Sequence, residues 1–196
     1  FSMLVGMDRE WFPIYSFGWK AHRNIKFQMD DKHPIGASHH EKIIVIDEKV
    51  AFVGGLDLTK ARWDTPKHKP DEERRITPDN SHYRPHHDVQ VLVAGDVAKS
   101  LGDFFRNRWE MAAGKKNAAN RSEESSTPWP EDMRCDAEDC SVAIARTQPQ
   151  YEHLEKAHEV KQLYLDAIKA AGKYIYIENQ YLTCPTITKA LADRLE

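Results

Sequence analysis

The sequence predicts an α/β fold, a mixed sheet flanked by helices, and three observations carry that reading. Short runs rich in β-branched and aliphatic residues recur at 43–46, 50–53 and 88–93. Two longer segments, at about 97–112 and 151–171, place apolar residues at helical spacing. Strands and helices then alternate along the chain, as an α/β domain requires.

In order, residues 24–29 read as a first strand. Ile43-Ile44-Val45-Ile46 and Val50-Ala51-Phe52-Val53, joined by a short polar turn, read as two strands of a buried sheet, and residues 88–93 add another. A helix follows Gly95 over about 97–112, with Asp96 as its N-cap and Leu101, Phe104, Phe105 and Trp109 as an apolar stripe for the core. Residues 114–139 are rich in Lys, Asn, Ser, Glu and Pro and read as an exposed connection. A strand at 141–145 resumes the fold. A long amphipathic helix over 151–171 turns Leu154, Ala157, Leu163, Tyr164 and Ile168 inward and stops at Gly172, and 174–178 is the next strand. The domain reading is therefore a lobe over 1–112, an exposed linker over 113–140 and the start of a second lobe over 141–196.

Composition narrows the function. The 196 residues carry 28 Lys plus Arg against 31 Asp plus Glu, a formal net charge of -3. Such totals do not suggest a nucleic-acid-binding surface or a polybasic anchor, and they favour a lipid substrate over DNA. An apolar share of 40% suffices for a core, while a mean hydropathy of -0.70 points to long polar loops. No apolar run approaches the roughly 18 residues that span a bilayer, so the chain is expected to be soluble or peripheral at membranes. Cys135, Cys140 and Cys184 do not form a metal-binding set; they read as free thiols, with a Cys135 to Cys140 bridge as the alternative, and the compartment stays open.

Chemistry concentrates in Ser38-His39-His40-Glu41-Lys42-Ile43-Ile44-Val45-Ile46-Asp47. Side chains two apart on a strand share a face, roughly 7 Å from each other. His40 and Lys42 are therefore expected to enter one pocket. A neutral imidazole can attack phosphorus and hold it covalently, while a nearby ammonium spreads charge over the phosphoryl oxygens and keeps the histidine pKa from rising. Asp47 has the opposite parity and is given a supporting role, bonding backbone or anchoring a neighbouring element. His39 also has the wrong parity for the pocket and reads as a packing or hydrogen-bonding residue. The bare H-x-K-x4-D pattern is short enough to arise by chance.

Its surroundings are more specific. Ala51-Phe52-Val53-Gly54-Gly55-Leu56-Asp57-Leu58-Thr59-Lys60-Ala61-Arg62-Trp63-Asp64 resembles the stretch that follows the first HKD motif of the phospholipase D superfamily. Pro85-His86-His87-Asp88-Val89-Gln90-Val91 looks like that family's strand with a His-Asp pair. Tyr174-Ile175-Tyr176-Ile177-Glu178-Asn179-Gln180-Tyr181 looks like the strand opening the family's second half. The three occur in family order and together span about residues 24–182. The resemblance implies a phospholipase D-like fold, one lobe of a pseudo-two-fold bilobal enzyme plus the start of the second. It implies a two-step reaction in which one HKD histidine attacks the phosphodiester, the other protonates the leaving alcohol, and water or another alcohol releases the phosphoryl group.

Carried onto this chain, the resemblance makes His40 the nucleophile and Lys42 the phosphate-binding lysine, with Asp47 closing the motif. Gly55 and Asp57 match the stretch lining the phosphate pocket, and Asp88 resembles the carboxylate that orients a catalytic imidazole in some members. His87 is a weaker candidate beside it. Asn179 and Gln180, at a strand end expected to face the cleft, are candidates for substrate binding or for ordinary strand-end hydrogen bonding. Neither a metal nor a cofactor is implied.

A complete member has two HKD motifs, and no second H-x-K occurs here: His68-Lys69, His82-Tyr83-Arg84, His153-Leu154-Glu155 and His158-Glu159-Val160 all fail the pattern. With Phe1 first and Glu196 last, the chain reads as a fragment whose partner is a C-terminal half carrying the second motif. Pairing of two copies is the other route to two histidines, but the elements after residue 174 read as the opening of a second lobe. The expected substrate is a glycerophospholipid such as phosphatidylcholine at a membrane surface, hydrolysed or transphosphatidylated through a phosphohistidine at His40. Alternatives are phosphatidyl transfer as in cardiolipin synthesis, nucleic-acid phosphodiester cleavage, or a non-catalytic phospholipid-binding lobe. The segment 65–86, with four prolines and the run Asp71-Glu72-Glu73-Arg74-Arg75, reads as a solvated loop, or else as a loop over the pocket mouth that touches headgroups.

Overall fold

The computed structural model describes residues 2–6, 22, 24–116 and 128–195, the first five by backbone alone. The chain divides into two units, Phe1–Asp31 with Ser38–Cys140, and Lys32–Ala37 with Ser141–Glu196.

In the first unit, β1 (Ser2–Gly6) runs parallel to β2 (Lys26–Asp30), from Ser2 opposite Lys26 to Gly6 opposite Asp30. β3 (Lys42–Ile46), β4 (Val50–Gly54) and β5 (Gln90–Ala94) form an antiparallel sheet in that order. The helix α1 (Asp96–Ala113) packs against β2 and this sheet. The fold is thus α/β with both parallel and antiparallel pairings, held in separate small sheets and not in one mixed sheet among the described residues.

Register sets the two faces of the sheet. Ile43 stands opposite Val53, and Val45 opposite Ala51, which in turn stands opposite Val93. These odd-numbered residues of β3 to β5 pack with Val97, Ala98 and Leu101 of α1. Ala51 and Ala98 are fully buried, and their small side chains let the helix sit close to the strand. Even-numbered residues, Lys42 among them, project from the other face.

The turn after β3 puts Asp47 and Glu48 at φ 51° and 56°, with Lys49 N donating to Ile46 O at 3.0 Å, a type I′ geometry suited to the strand twist. Glu48 reaches back to Arg106 of α1. It lies over Gly102, where an added Cβ would come within 2.9 Å of its Cγ.

Three boundaries in this unit differ from the sequence reading. The strand expected over 24–29 is β2 and covers Lys26–Asp30, with β1 ahead of it not anticipated. The strand expected from residue 88 starts at Gln90, because Asp88 and Val89 turn toward Gly55: Gly55 N donates to Val89 O at 3.0 Å. Asp96 is not the N-cap of α1. Gly95 holds that position at φ 78°, its carbonyl accepting from Ala98 N, while Asp96 lies in the first turn and accepts from Lys99. Gly114, at φ 63°, closes the helix by donating to Glu110 O.

The second unit holds the antiparallel pair β6 (Thr147–Gln148) and β7 (Ala157–His158), then α2 (Glu159–Ala170) and α3 (Pro185–Leu195). The helix expected over 151–171 loses its first half. Residues 151–154 form a tight turn in which Tyr151 and Leu154 exchange both backbone hydrogen bonds, and the Glu159 carboxylate takes Arg146 N and its guanidinium. Of the residues expected inward, Ile168 is buried, whereas Leu163 and Tyr164 are exposed. The helix ends at Ala170 with Ala171 extended, before Gly172. No strand forms at 141–145. None forms at 174–178 either: a strand needs a hydrogen-bonded neighbour, no described strand lies beside this segment, and Tyr174 and Tyr176 are largely exposed. Residues 117–127 of the expected connection lie outside the described residues. No described helix is long and apolar enough to cross a membrane.

The loop between β4 and β5 is built around a charge. Arg75 is 1% exposed, and its guanidinium donates to Asp64 Oδ1 at 2.9 Å, Pro70 O at 2.8 Å, Lys69 O at 2.5 Å and Tyr83 O at 3.3 Å. The acidic and basic run therefore is not uniformly solvated: Arg74 stays at the surface on Glu72 and over the Trp63 ring, while Arg75 turns inward and staples the loop. Burial alone would raise the Asp64 carboxyl, but donors from His68, His86 N, Thr65 N and Arg75 outweigh it and hold the group well below the usual carboxylate range.

A carboxyl held low in the fold contributes stability that is complete above its unfolded pKa, about 4, and is lost as pH falls through the folded value. Asp64→Asn should therefore lower the melting temperature at neutral pH, with the gap to wild type narrowing as pH drops below about 4. Thermal melts across that range check this; a gap that stays constant into strong acid contradicts it.

Candidate active site

His40 lies in the irregular segment that enters β3, and Lys42 is the first residue of the strand. His40 is exposed. The Lys42 ammonium turns back along the chain, donating to His40 O at 2.8 Å and pairing with Asp57 Oδ1 at 3.1 Å. Arg62 Nε stands 3.8 Å from the other Asp57 oxygen. The hydrogen bond from Lys42 holds the Asp57 carboxyl below its ordinary value; partial burial opposes this, and the charges of Lys42, Arg62 and His40 reinforce it. Three groups able to bear positive charge thus surround one carboxylate on the sheet face away from α1.

Two glycines give this corner its shape. Register aligns Lys42, Gly54 and Gln90 across the three strands. A Cβ on Gly54 would stand 2.3 Å from Val89 O, and one on Gly55 2.1 Å from Asp88 Oδ1. Without side chains there, the entry to β5 crosses directly over the end of β4. Gln90 Oε1 accepts from Leu56 N at 3.2 Å, and Asp88 Oδ1 accepts from Val89 N at 2.8 Å. Asp88 Oδ2 is 3.8 Å from His86 Nε2, a buried nitrogen with no hydrogen bond to any described residue.

His87 is engaged elsewhere. His68 Nδ1 lies 3.1 Å from Asp64 Oδ2, and His68 Nε2 lies 3.1 Å from His87 Nδ1. An ionised carboxylate only accepts, so His68 donates to it through Nδ1 and, as a neutral ring, accepts from His87 through Nε2. The Asp64, His68, His87 chain fixes the tautomer of both rings.

The sequence candidates therefore separate. His40, Lys42 and Asp57 come together, and Gly55 carries Asp88. Asp47 sits in the exposed turn at the far end of β3, roughly 17 Å from the Lys42 end at strand rise. Asn179 and Gln180 belong to the second unit, both exposed on irregular backbone, with Asn179 Oδ1 accepting from Tyr181 N. Arg62, His68 and Gln90 were passed over in the sequence reading, although Arg62 and Gln90 lie inside the stretches that carry the resemblance and His68 lies just beyond one. No group of three or more described His, Cys, Asp or Glu side chains converges as a metal ion would require.

Chemically, the corner offers an exposed imidazole beside an ammonium and a guanidinium that already hold an anionic group. An oxyanion of a substrate could take the place of the Asp57 carboxylate on the same donors. Gly54→Ala should destabilise the fold by about 1–3 kcal/mol, because the Val89 and Gln90 backbone must move to admit the methyl group. Denaturant titration measures it, and a neutral effect would contradict the contact.

Known proteins share this arrangement of sequence. A family model described as Phospholipase D matches residues 20–187. The chain is 28% identical over 198 residues to "Phospholipase D1" of Saccharomyces cerevisiae, covering 76% of this chain and 12% of that protein. It is 27% identical over 197 residues to "Phospholipase D alpha 1" of Carica papaya, covering 74% and 24%. With "Phospholipase D zeta 1" of Arabidopsis thaliana it shares 32% identity over 108 residues, 42% of this chain and 10% of the relative. The chain thus spans about a quarter or less of the length of these relatives. The family match includes His40, Lys42, Gly55, Asp57 and Asp88 and most of both units, and the chain belongs to the phospholipase D family.

Proposed function

We propose that this chain supplies the first half of the active site of a phosphodiesterase that cleaves glycerophospholipids such as phosphatidylcholine, working peripherally at a membrane surface. The observation that carries the reading is the grouping of His40, Lys42 and Arg62 about the Asp57 carboxylate on the sheet face away from the helix. An imidazole nitrogen of His40 attacks phosphorus. A P–N bond forms, and the P–O bond to the headgroup alcohol breaks. The leaving oxygen takes its proton from the histidine of a second HKD motif, carried by the other lobe of a bilobal, pseudo-two-fold molecule.

Water, or another alcohol, then attacks phosphorus and gives its proton to that second histidine, and the P–N bond breaks to free His40. With water the product is phosphatidate; with an alcohol it is a new phosphatidyl ester. Lys42 and Arg62 neutralise the charge that gathers on the phosphoryl oxygens. Asp88 serves as the carboxylate that orients an imidazole across the site. Asp47 supports the motif through the β3 turn and not by contact with substrate.

Headgroup release from phosphatidylcholine micelles tests this, in a polypeptide carrying this chain together with a second H-x-K-x4-D motif. His40→Ala should lower kcat by at least about a thousandfold. Retention of activity in that variant contradicts the role of His40. Activity from this chain alone contradicts the need for a second lobe and points to pairing of two copies.

A further inference from the structure

The two neighbours of His40 both turn toward one buried carboxylate and one guanidinium. Asp30, the last residue of β2, has a side chain only 3% exposed. Arg108 of α1 donates to its Oδ2 through Nε at 3.1 Å and through Nη2 as well. The remaining nitrogen of the same guanidinium, Nη1, pairs with the Glu41 carboxylate. The other oxygen of Asp30 stands 3.2 Å from the buried His39 Nε2, a close contact without hydrogen-bond geometry that becomes an ion pair only with a protonated ring. The guanidinium therefore holds residue 41, and the buried carboxylate it is bound to lies against residue 39, on either side of His40.

The grip lies where the sheet gives no help. The β3 ladder begins at Lys42, so residues 38–41 belong to no strand and have no ladder bonds to fix them. A buried ion pair adds little net stability, because desolvation offsets the attraction; what it fixes well is geometry. The planar guanidinium, with donors at set angles, suits a three-way junction in a way an ammonium does not.

We propose that Asp30 and Arg108 are positioning residues for His40: they hold the backbone of residues 39–41 against α1, so that the intervening imidazole faces the side that carries Lys42 and Asp57. This rests on the reading of His40 as nucleophile. A misplacement of the order of 1 Å at a reacting group can cost roughly a hundredfold in rate.

The test combines steady-state kinetics with amide hydrogen exchange, on the full-length polypeptide and its Arg108→Gln, Arg108→Lys and Glu41→Gln variants. Glu41→Gln, at a partly exposed position, guards against a general folding defect in the Arg108 variants. The expected result is exchange about tenfold faster or more at the amides of residues 39–42, with α1 unchanged, since local opening is resolved separately from global unfolding. Headgroup release should show kcat about 10–100-fold lower with KM within about twofold, and Arg108→Lys should recover part of the loss. Unchanged exchange at 39–42, or a rise spread evenly through α1 and the sheet, would overturn the proposal. If the wild type releases no headgroup while exchange responds as stated, the functional reading of His40 falls and the clamp stands.

Discussion

Alternation of side chains along β3 is the constraint on which the rest of this unit depends. Ile43 and Val45 face α1 and build the core with Ala51, Ala98 and Leu101. Just ahead of the strand, His39 and Glu41 turn toward Asp30 and Arg108. The alternation leaves Lys42 on the opposite face, beside Asp57. A slip of one residue in the register would exchange these sets, putting aliphatic side chains in solvent and the ammonium in the core. The core therefore fixes which way the chemistry faces, and no separate device is needed to choose it.

Around that strand the molecule spends buried charge on geometry. Arg75 draws four acceptors together from residues 64, 69, 70 and 83, and so shapes a loop with few apolar residues of its own. Asp64 passes this order on through His68 to His87, and its backbone donor His86 N leads directly to Asp88. Asp88 in turn lies against Gly55, next to the glycine that stands opposite Lys42. The two halves of the corner are thus linked by short contacts, each sensitive to an added methyl group or a lost charge.

Much of this was legible in the sequence where the information is local. The runs 43–46 and 50–53 have the composition and length of buried strands and form them, and the stripe containing Leu101 and Trp109 faces the core as its spacing implies. Residues 151–158 misled because Leu154 and Ala157 fit a helical period, while the Arg146 to Glu159 pair and the Tyr151 to Leu154 turn place the helix start later. Tyr174 to Ile177 has strand composition, but composition does not supply the neighbour that a ladder requires. At the site, His40, Lys42, Asp57 and Gly55 could be picked out because one motif and its continuation contain them. Asp30 and Arg108 could not, since 78 positions separate them and neither stands in a recognisable pattern. Arg75 was hidden within a charge run whose usual fate is solvent.

The central claim is that His40, and not its neighbour His39 or the histidines at 86 and 87, presents its ring to phosphorus. Mapping the phosphoryl adduct by mass spectrometry, after a quench at alkaline pH during turnover of a phospholipid by a polypeptide with both motifs, tests that claim most directly. The account predicts that the adduct carried by this chain is on His40. An adduct on His39, His86 or His87 would contradict it, and so would turnover with phosphorus bound only to the histidine of the second motif.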